Sequence, residues 1–328
     1  MRPRAIITIN GQPVSGVFME RLISVTVNDR EGVKSDSVDL ELDAGPPYLA
    51  VPDTKAIIAV SLGYGAQMMF MGRFTADDID LSCLPYTLKI SGKSADMKSP
   101  AKQHGDKHYD DKSVKDIVGD LAKRMGISAK TSGAVGGIKL KWFALEGESP
   151  IHAVQRLAER VNGLATVKNG QLLFVERGAG QSAGGAALGT LVIKPAMVQP
   201  GSLSVKWTGR ESVEKVKSTY HDRGKAKRET VEVPGDKKGK GTYTIRHNHA
   251  NKDEAERAAG SKAKELERET ITTSVTIEGN TAARAGSPMN YQGIHPAIDP
   301  LQFIIGSASH RYVKNSGYST GITGKKKV

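Results

Sequence analysis

Four groups of side chains in this sequence have residue types that do chemistry. His104, Asp106 and His108 are metal-ligand types, as are His247 and His249. Asp77, Asp78 and Asp80 could pair as general acid and base, and the single cysteine, Cys83, could act as a nucleophile. Each group has the types without the setting. Residues 104–108 fall in a Gly-Asp-Lys stretch that reads as a loop, with no helix to fix ligand geometry. His247-Asn248-His249 spells a nuclease name by its letters only and lacks the further spacing such a site needs. Alternation puts Asp78 and Asp80 on the wet face of a strand, as solvated charges. The setting Ile79, Leu81, Cys83 predicts a small buried strand residue in place of a reactive thiol. No G-x-x-x-x-G-K-[ST] loop occurs, the glycines at 11–16 do not precede a helix, and no serine sits in a G-x-S-x-G elbow. The sequence therefore predicts no catalytic, cofactor-binding or metal-binding residue, and no enzyme.

The elements that would position side chains are mostly strands, and two stretches share one plan. Phe303, Ile304 and Ile305 precede Gly306, a polar segment follows, and Y-S-T-G-I-T-G-K closes at 318–325. Earlier, Phe70 and Met71 precede Gly72, a mixed segment follows, and Y-T-L-K-I-S-G-K closes at 86–93. Both read as strand, turn, strand with a Gly-Lys stop, which predicts two related β-units.

Along the chain, residues 1–100 alternate in short runs broken by Asn10-Gly11, by Gly45-Pro46-Pro47 and by the glycines at 63–65, as expected of one antiparallel barrel, closed or nearly closed. At Lys112 the period changes to 3.6. Ser113 with Asp116 resembles a capping box, and Val114, Ile117, Val118, Leu121 and Met125 share a face until Gly126. Ser149 and Pro150 open a second helix with a stripe of Ile151, Val154, Leu157, Ala158 and Val161, and a hairpin turns at Asn169-Gly170. Residues 101–177 thus predict a small α+β insert domain. Gly, Ala and Ser dominate 178–190, a linker. The rest, 191–328, predicts a second barrel domain: Leu203, Val205 and Trp207 alternate, and a helix at 251–269 carries an alanine stripe of Ala255, Ala258, Ala259 and Ala263. The fold class is α+β, mainly β: two related antiparallel β-barrel domains with the insert between them.

Composition narrows the class further. The chain has 328 residues, 38% hydrophobic and 5% aromatic, so a core can form but must rely on aliphatic side chains. One cysteine excludes an internal disulfide. No segment has the run of about 20 apolar residues that spans a bilayer, and residues 1–10 lack a signal core, so no membrane insertion is expected. The formal charge of +12 suggests phosphate, yet the excess is local, in a loop at 222–241 and in Lys325, Lys326 and Lys327, and no basic helix interleaved with aromatics occurs.

Taken in order, specific residues resemble a known family. E-G-E-S-P-I-H-A-V-Q-R-L-A-E-R-V-N-G at 146–163 is followed by V-K-N-G-Q-L-L-F at 167–174. The alanine-rich helix leads into a Thr/Ile strand and Gly279. Over 286–324 the run 303–306, His310, Gly317-Tyr318 and Thr320 falls in the family's order. This set resembles the late control D family, the baseplate hub proteins of contractile-tailed phages, related to the hub part of type VI secretion spike proteins and to tail-like bacteriocins. The resemblance implies a homotrimer of two-barrel protomers, a ring adapting a six-fold tail tube to a three-fold spike. It implies as partners a tail tube protein on one face and a trimeric spike on the other, expected as a separate protein because the chain stops at Val328, with tape-measure protein or DNA in the lumen. The place of action would be the virion or a phage-tail-like particle, assembled in the host cytoplasm. Two other classes stay open: a tail-tip cell-wall hydrolase, and a basic nucleic-acid-binding regulator.

Overall fold

The computed structural model describes the whole chain except residues 1, 33–34, 95–100, 102, 169, 182–185, 210–211, 223 and 237–238. Strand β1 (Pro3–Ile9) turns through Asn10 and Gly11, both at positive φ, into β2 (Gln12–Pro13). A short helix α1 (Gly16–Arg21), capped by Ser15 and not expected after the glycines at 11–16, leads to β3 (Leu22–Arg30), β4 (Ser37–Asp43), β5 (Ile57–Tyr64), the long β6 (Gln67–Ser82) and β7 (Thr87–Lys93). Next come β8 (Gly105–Ser113), α2 (Val114–Arg124), β9 (Ser128–Thr131), the single turn α3 (Gly133–Gly136), β10 (Lys139–Glu148), α4 (Pro150–Arg160), and the hairpin of β11 (Gly163–Lys168) and β12 (Gln171–Glu176). The last part holds β13 (Leu191–Ile193), β14 (Ser204–Trp207), β15 (Lys215–Asp222), β16 (Lys227–Pro234), β17 (Thr242–His249), α5 (Lys252–Glu269), β18 (Ile271–Glu278), β19 (Pro288–Tyr291), β20 (Gln302–Val313) and β21 (Gly317–Lys326).

The protein is mainly β, and its largest sheet has 13 strands in the order β14-β18-β21-β20-β3-β4-β7-β6-β5-β1-β2, with β19 on β20 and β13 on β19. This path is open at both ends. Among the described residues no barrel closes, and the two stretches expected to form separate barrels share one sheet. They meet where β20 pairs antiparallel with β3, from Ser307 opposite Arg30 to Val313 opposite Ser24. Periodicity specifies which face of a strand is buried and leaves its neighbour unspecified, which is why this continuity was invisible in the sequence.

On either side of that joint the strand order is the same. Neighbours run β3, β4, β7, β6, β5, β1 on one side and β14, β18, β21, β20, β19, β13 on the other. Registers agree as well. Leu42 faces Leu88 as Ile277 faces Thr320, and Ala44 N donates to Tyr86 O at 3.2 Å as Gly279 N donates to Tyr318 O at 2.8 Å. One pair differs, since β1 lies antiparallel to β5 and β13 parallel to β19.

The pairing refines the sequence echo. Residues 86–93 and 318–325 do hold equivalent places, but their Gly-Lys ends continue the ladder: Gly92 pairs with Ala76 and Gly324 with Ile305. Close approach requires glycine at 92 and leaves little room for a side chain at 324. A Cβ on Gly92 would lie 2.8 Å from Thr75 O, and one on Gly324 would lie 3.2 Å from Ile304 O. Upstream, Phe74 and not Phe70 matches Phe303, and the register shift between Ala76 and Asp78 matches that between Ile305 and Ser307. Such bulges bend a strand and raise its twist.

The helical segments form where the period is 3.6. Ser113 Oγ accepts from Asp116 N at 3.2 Å to start α2, Pro150 starts α4, and their stripes, Ile117, Val118, Leu121 with Val154, Leu157, Ala158, bury against Phe143 and Phe174. Two loop expectations fail. Residues 105–108 lie in β8, which pairs with β10, and the basic stretch folds largely as the β15–β16 hairpin, with Lys217 2.8 Å from Glu232. Helix α5 covers the three-stranded sheet β16-β15-β17, with Ala259, Ala263 and Leu266 against Val216. The Asn169 turn, residues 182–185 of the linker, and Arg223, Lys237 and Lys238 of the basic stretch lie outside the described residues.

Candidate functional site

The side chains singled out for chemistry are structural or solvent-facing. His104 Nδ1 lies 2.5 Å from Gly147 O, and Asp106 Oδ1 accepts from Gly147 N at 2.6 Å, so both brace the bulged end of the β8–β10 ladder. His108 is exposed, 3.8 Å from Asp110. His247 is exposed; His249 is buried, and burial together with the nearby Arg160 pushes its pKa down. Asp78 and Asp80 are exposed, and Asp77 lies 3.8 Å from Lys93. Among the described residues no three His, Cys, Asp or Glu side chains gather as a metal would need. Cys83, expected inside, is exposed, because β6 ends at Ser82 and the chain turns there. A small concavity lined by Glu31, Arg177, Arg268, Glu269 and Lys325 is crossed by ion pairs such as Lys325–Glu269 at 2.7 Å.

The sheet itself holds the more specific geometry, at the β20–β3 joint. On one face Ala308 and His310 from β20 meet Val25, Val27 and Asp29 from β3, all buried. His310 Nε2 lies 3.0 Å from Ala283 O, and Nδ1 lies 2.8 Å from the Tyr318 hydroxyl. A carbonyl only accepts, so Nε2 carries the proton, Tyr318 donates to Nδ1, and the imidazole is neutral. Burial, reinforced by Arg284, pushes the His310 pKa down to about 4, and burial pushes Tyr318 up. Asp29 accepts from Lys168 on β11 and from Ala285 N at 3.1 Å, which ties the joint to the helical part of the chain. On the other face Ser309 Oγ donates to Asn28 Oδ1 at 2.8 Å.

Two further edges have the form of this joint with no partner among the described residues. Strand β14 ends the sheet, pairing only with β18. Residues 78–82 of β6 pair only with β7, because β5 covers β6 no further than Thr75. Apolar side chains stand on both: Leu81 is 47% exposed and Trp207 55%, whereas His310 and Val27 at the filled joint are 0% and 1%. Sequence reading found both as alternating runs, Ile79-Leu81-Cys83, with the cysteine expected inside, and Leu203-Val205-Trp207. That mismatch between an apolar face and an open edge is the signal it contained.

The described residues thus form one extended, mainly antiparallel sheet that carries apolar side chains on its open edges. The chain belongs to the phage tail baseplate hub (GPD) family, which it matches over residues 50–316. It is 25% identical over 360 residues to the probable baseplate hub protein of Escherichia phage 186, covering 98% of this chain and 92% of that one. The tail protein of Neisseria meningitidis MC58 shares the fold with a TM-score of 0.73 at 13% identity, over 99% of this chain and 97% of that one. The Escherichia coli c3393 protein, a type VI secretion component described as similar to the T4 tail proteins gp27 and gp5, aligns with a TM-score of 0.57 at 12% identity over 98% and 77%.

Proposed function

We propose that this chain is the structural, non-enzymatic hub of a contractile-tail baseplate, a homotrimeric ring that adapts a six-fold tail tube to a three-fold spike. The observation that carries this reading is the repeated strand order, β3-β4-β7-β6-β5-β1 and β14-β18-β21-β20-β19-β13. Two like β-units per chain, in three chains, make six like positions around an axis, so one face can match six tube subunits while the other keeps the three-fold symmetry of the chains. In this reading residues 1–100 and 191–328 supply the two units, 101–177 form an insert domain, and 178–190 link it onward. The partners are a tail tube protein, a three-fold spike protein, and tape-measure protein or DNA in the lumen. The location is the virion, with assembly in the host cytoplasm.

The test is a mass measurement joined to electron micrographs. A particle of about three times 35.1 kDa, with six lobes in averages viewed down its axis, is the expected result. A monomer or dimer at every concentration, or three unlike lobes, would sink the reading.

A further inference from the structure

We propose that neighbouring copies join by antiparallel pairing of residues 78–82 of β6 with residues 204–208, at β14, of the next copy, in a register set by the β20–β3 joint inside each chain. This inference rests on the ring reading above and identifies the surface that closes it.

The register follows from equivalent ladder positions. Ser82 faces Thr87 as Arg311 faces Ser319, and Asp78 faces Ser91 as Ser307 faces Thr323, so residues 78–82 stand where 307–311 stand. Ser204 faces Ser274 as Thr26 faces Asp39, and Trp207 continues that run to the place of Asp29. Within the chain, Ala308 pairs with Asp29, Ser309 with Asn28 and His310 with Val27. Transferred to the open edges, Ile79 comes opposite Trp207 of the next copy, Asp80 opposite Lys206, and Leu81 opposite Val205.

The side chains brought opposite one another in this register are chemically complementary. The two apolar pairs fall on the face where the filled joint buries Ala308, His310 and Val27. Asp80 and Lys206 fall on the polar face, an opposite-charge pair where the filled joint has the Ser309–Asn28 hydrogen bond. A slip by one residue would set Leu81 against Lys206 and turn the apolar side chains of one strand outward. The contact is head to tail, between unlike surfaces, and such contacts build rings when the rotation closes. It also fills two edges that would otherwise template uncontrolled pairing.

Cys83 is the only cysteine, so a C83S background allows a direct test. With D80C and K206C added, mild oxidation should give covalent dimers and trimers on a non-reducing gel, lost on reduction, while the out-of-register pair D80C with S202C should give none. In parallel, D80K or K206D alone should weaken each contact between copies about fivefold, with the circular dichroism and thermal midpoint of the dilute, unassembled chain unchanged, and the D80K/K206D swap should restore assembly. A trimeric mass without the D80C–K206C bond, or equal cross-linking by the shifted pair, would overturn this interface and leave the ring reading standing. Absence of any trimer would overturn both.

Discussion

His310 shows how a single side chain can couple this fold to pH. Held neutral between Ala283 O and the Tyr318 hydroxyl, it titrates at about 4 when folded against an ordinary 6.5, a gap worth about 3 kcal/mol. As pH falls from 6.5 toward 4, the unfolded chain takes up a proton that the native imidazole refuses, so stability falls across that window and this contribution is flat above it. Asp29 and Arg284 act on the same imidazole with opposite signs, and burial is the larger cause. H310Q should flatten the loss of urea stability between about pH 7 and pH 4; comparison with the unchanged chain isolates this group from Glu31 and Asp36, whose carboxyls burial pushes up. An unaltered slope would show that the imidazole is not the group responsible. Little of this was legible beforehand. His310 was visible as a member of a family-like run, but its burial depends on β3, far upstream in the chain, and on a loop carbonyl. Cys83 failed for a nearer reason: alternation gave it a face, but Pro85 two residues on already marks the turn that ends β6 at Ser82.

Among the elements, α5 was the most readable and the least understood. Asn251 Oδ1 accepts from Glu254 N at 2.9 Å as the cap, and the alanine stripe brings the helix close to β15, as its small side chains predict. A glutamate in the first turn reads as a partner for the helix dipole. In the structure Glu254 is buried and accepts from Lys141 N at 2.9 Å and from Arg160, so it clamps α5 to β10 and α4. Ser261 adds a second clamp, donating to Glu159 O at 2.6 Å and accepting from Asn162 N at 3.1 Å. The partners lie about a hundred residues away in sequence, beyond the reach of any periodic signal. E254A leaves the Arg160 guanidinium, itself largely buried, without its carboxylate and should cost about 3 kcal/mol in urea unfolding. E254Q keeps an acceptor for Lys141 N and should cost less. Equal losses for the two would mean that the charge of Glu254 does not matter to the clamp.

At the scale of the whole molecule, the echo between residues 86–93 and 318–325 was enough to suggest two units. Their fusion into one sheet needed the pairing itself, because an alternating run buries equally well in a barrel or an open sheet. In the proposed ring the open β14 edge is covered by the next copy, and Trp207 can report that covering. The chain has two tryptophans, so in W142F the remaining indole emits from the β14 edge alone, where it is 55% exposed in a single copy. As concentration rises through the assembly transition, its emission should move to shorter wavelength and acrylamide quenching should fall, tracking the mass of the particle. If Ile79 of the next copy covers the indole, I79D should abolish the shift while leaving the emission of dilute protein unchanged. A trimer whose Trp207 stays as quenchable as in the dilute chain would place the joint between copies somewhere other than β14, and six like positions would then have to arise from two unlike contacts.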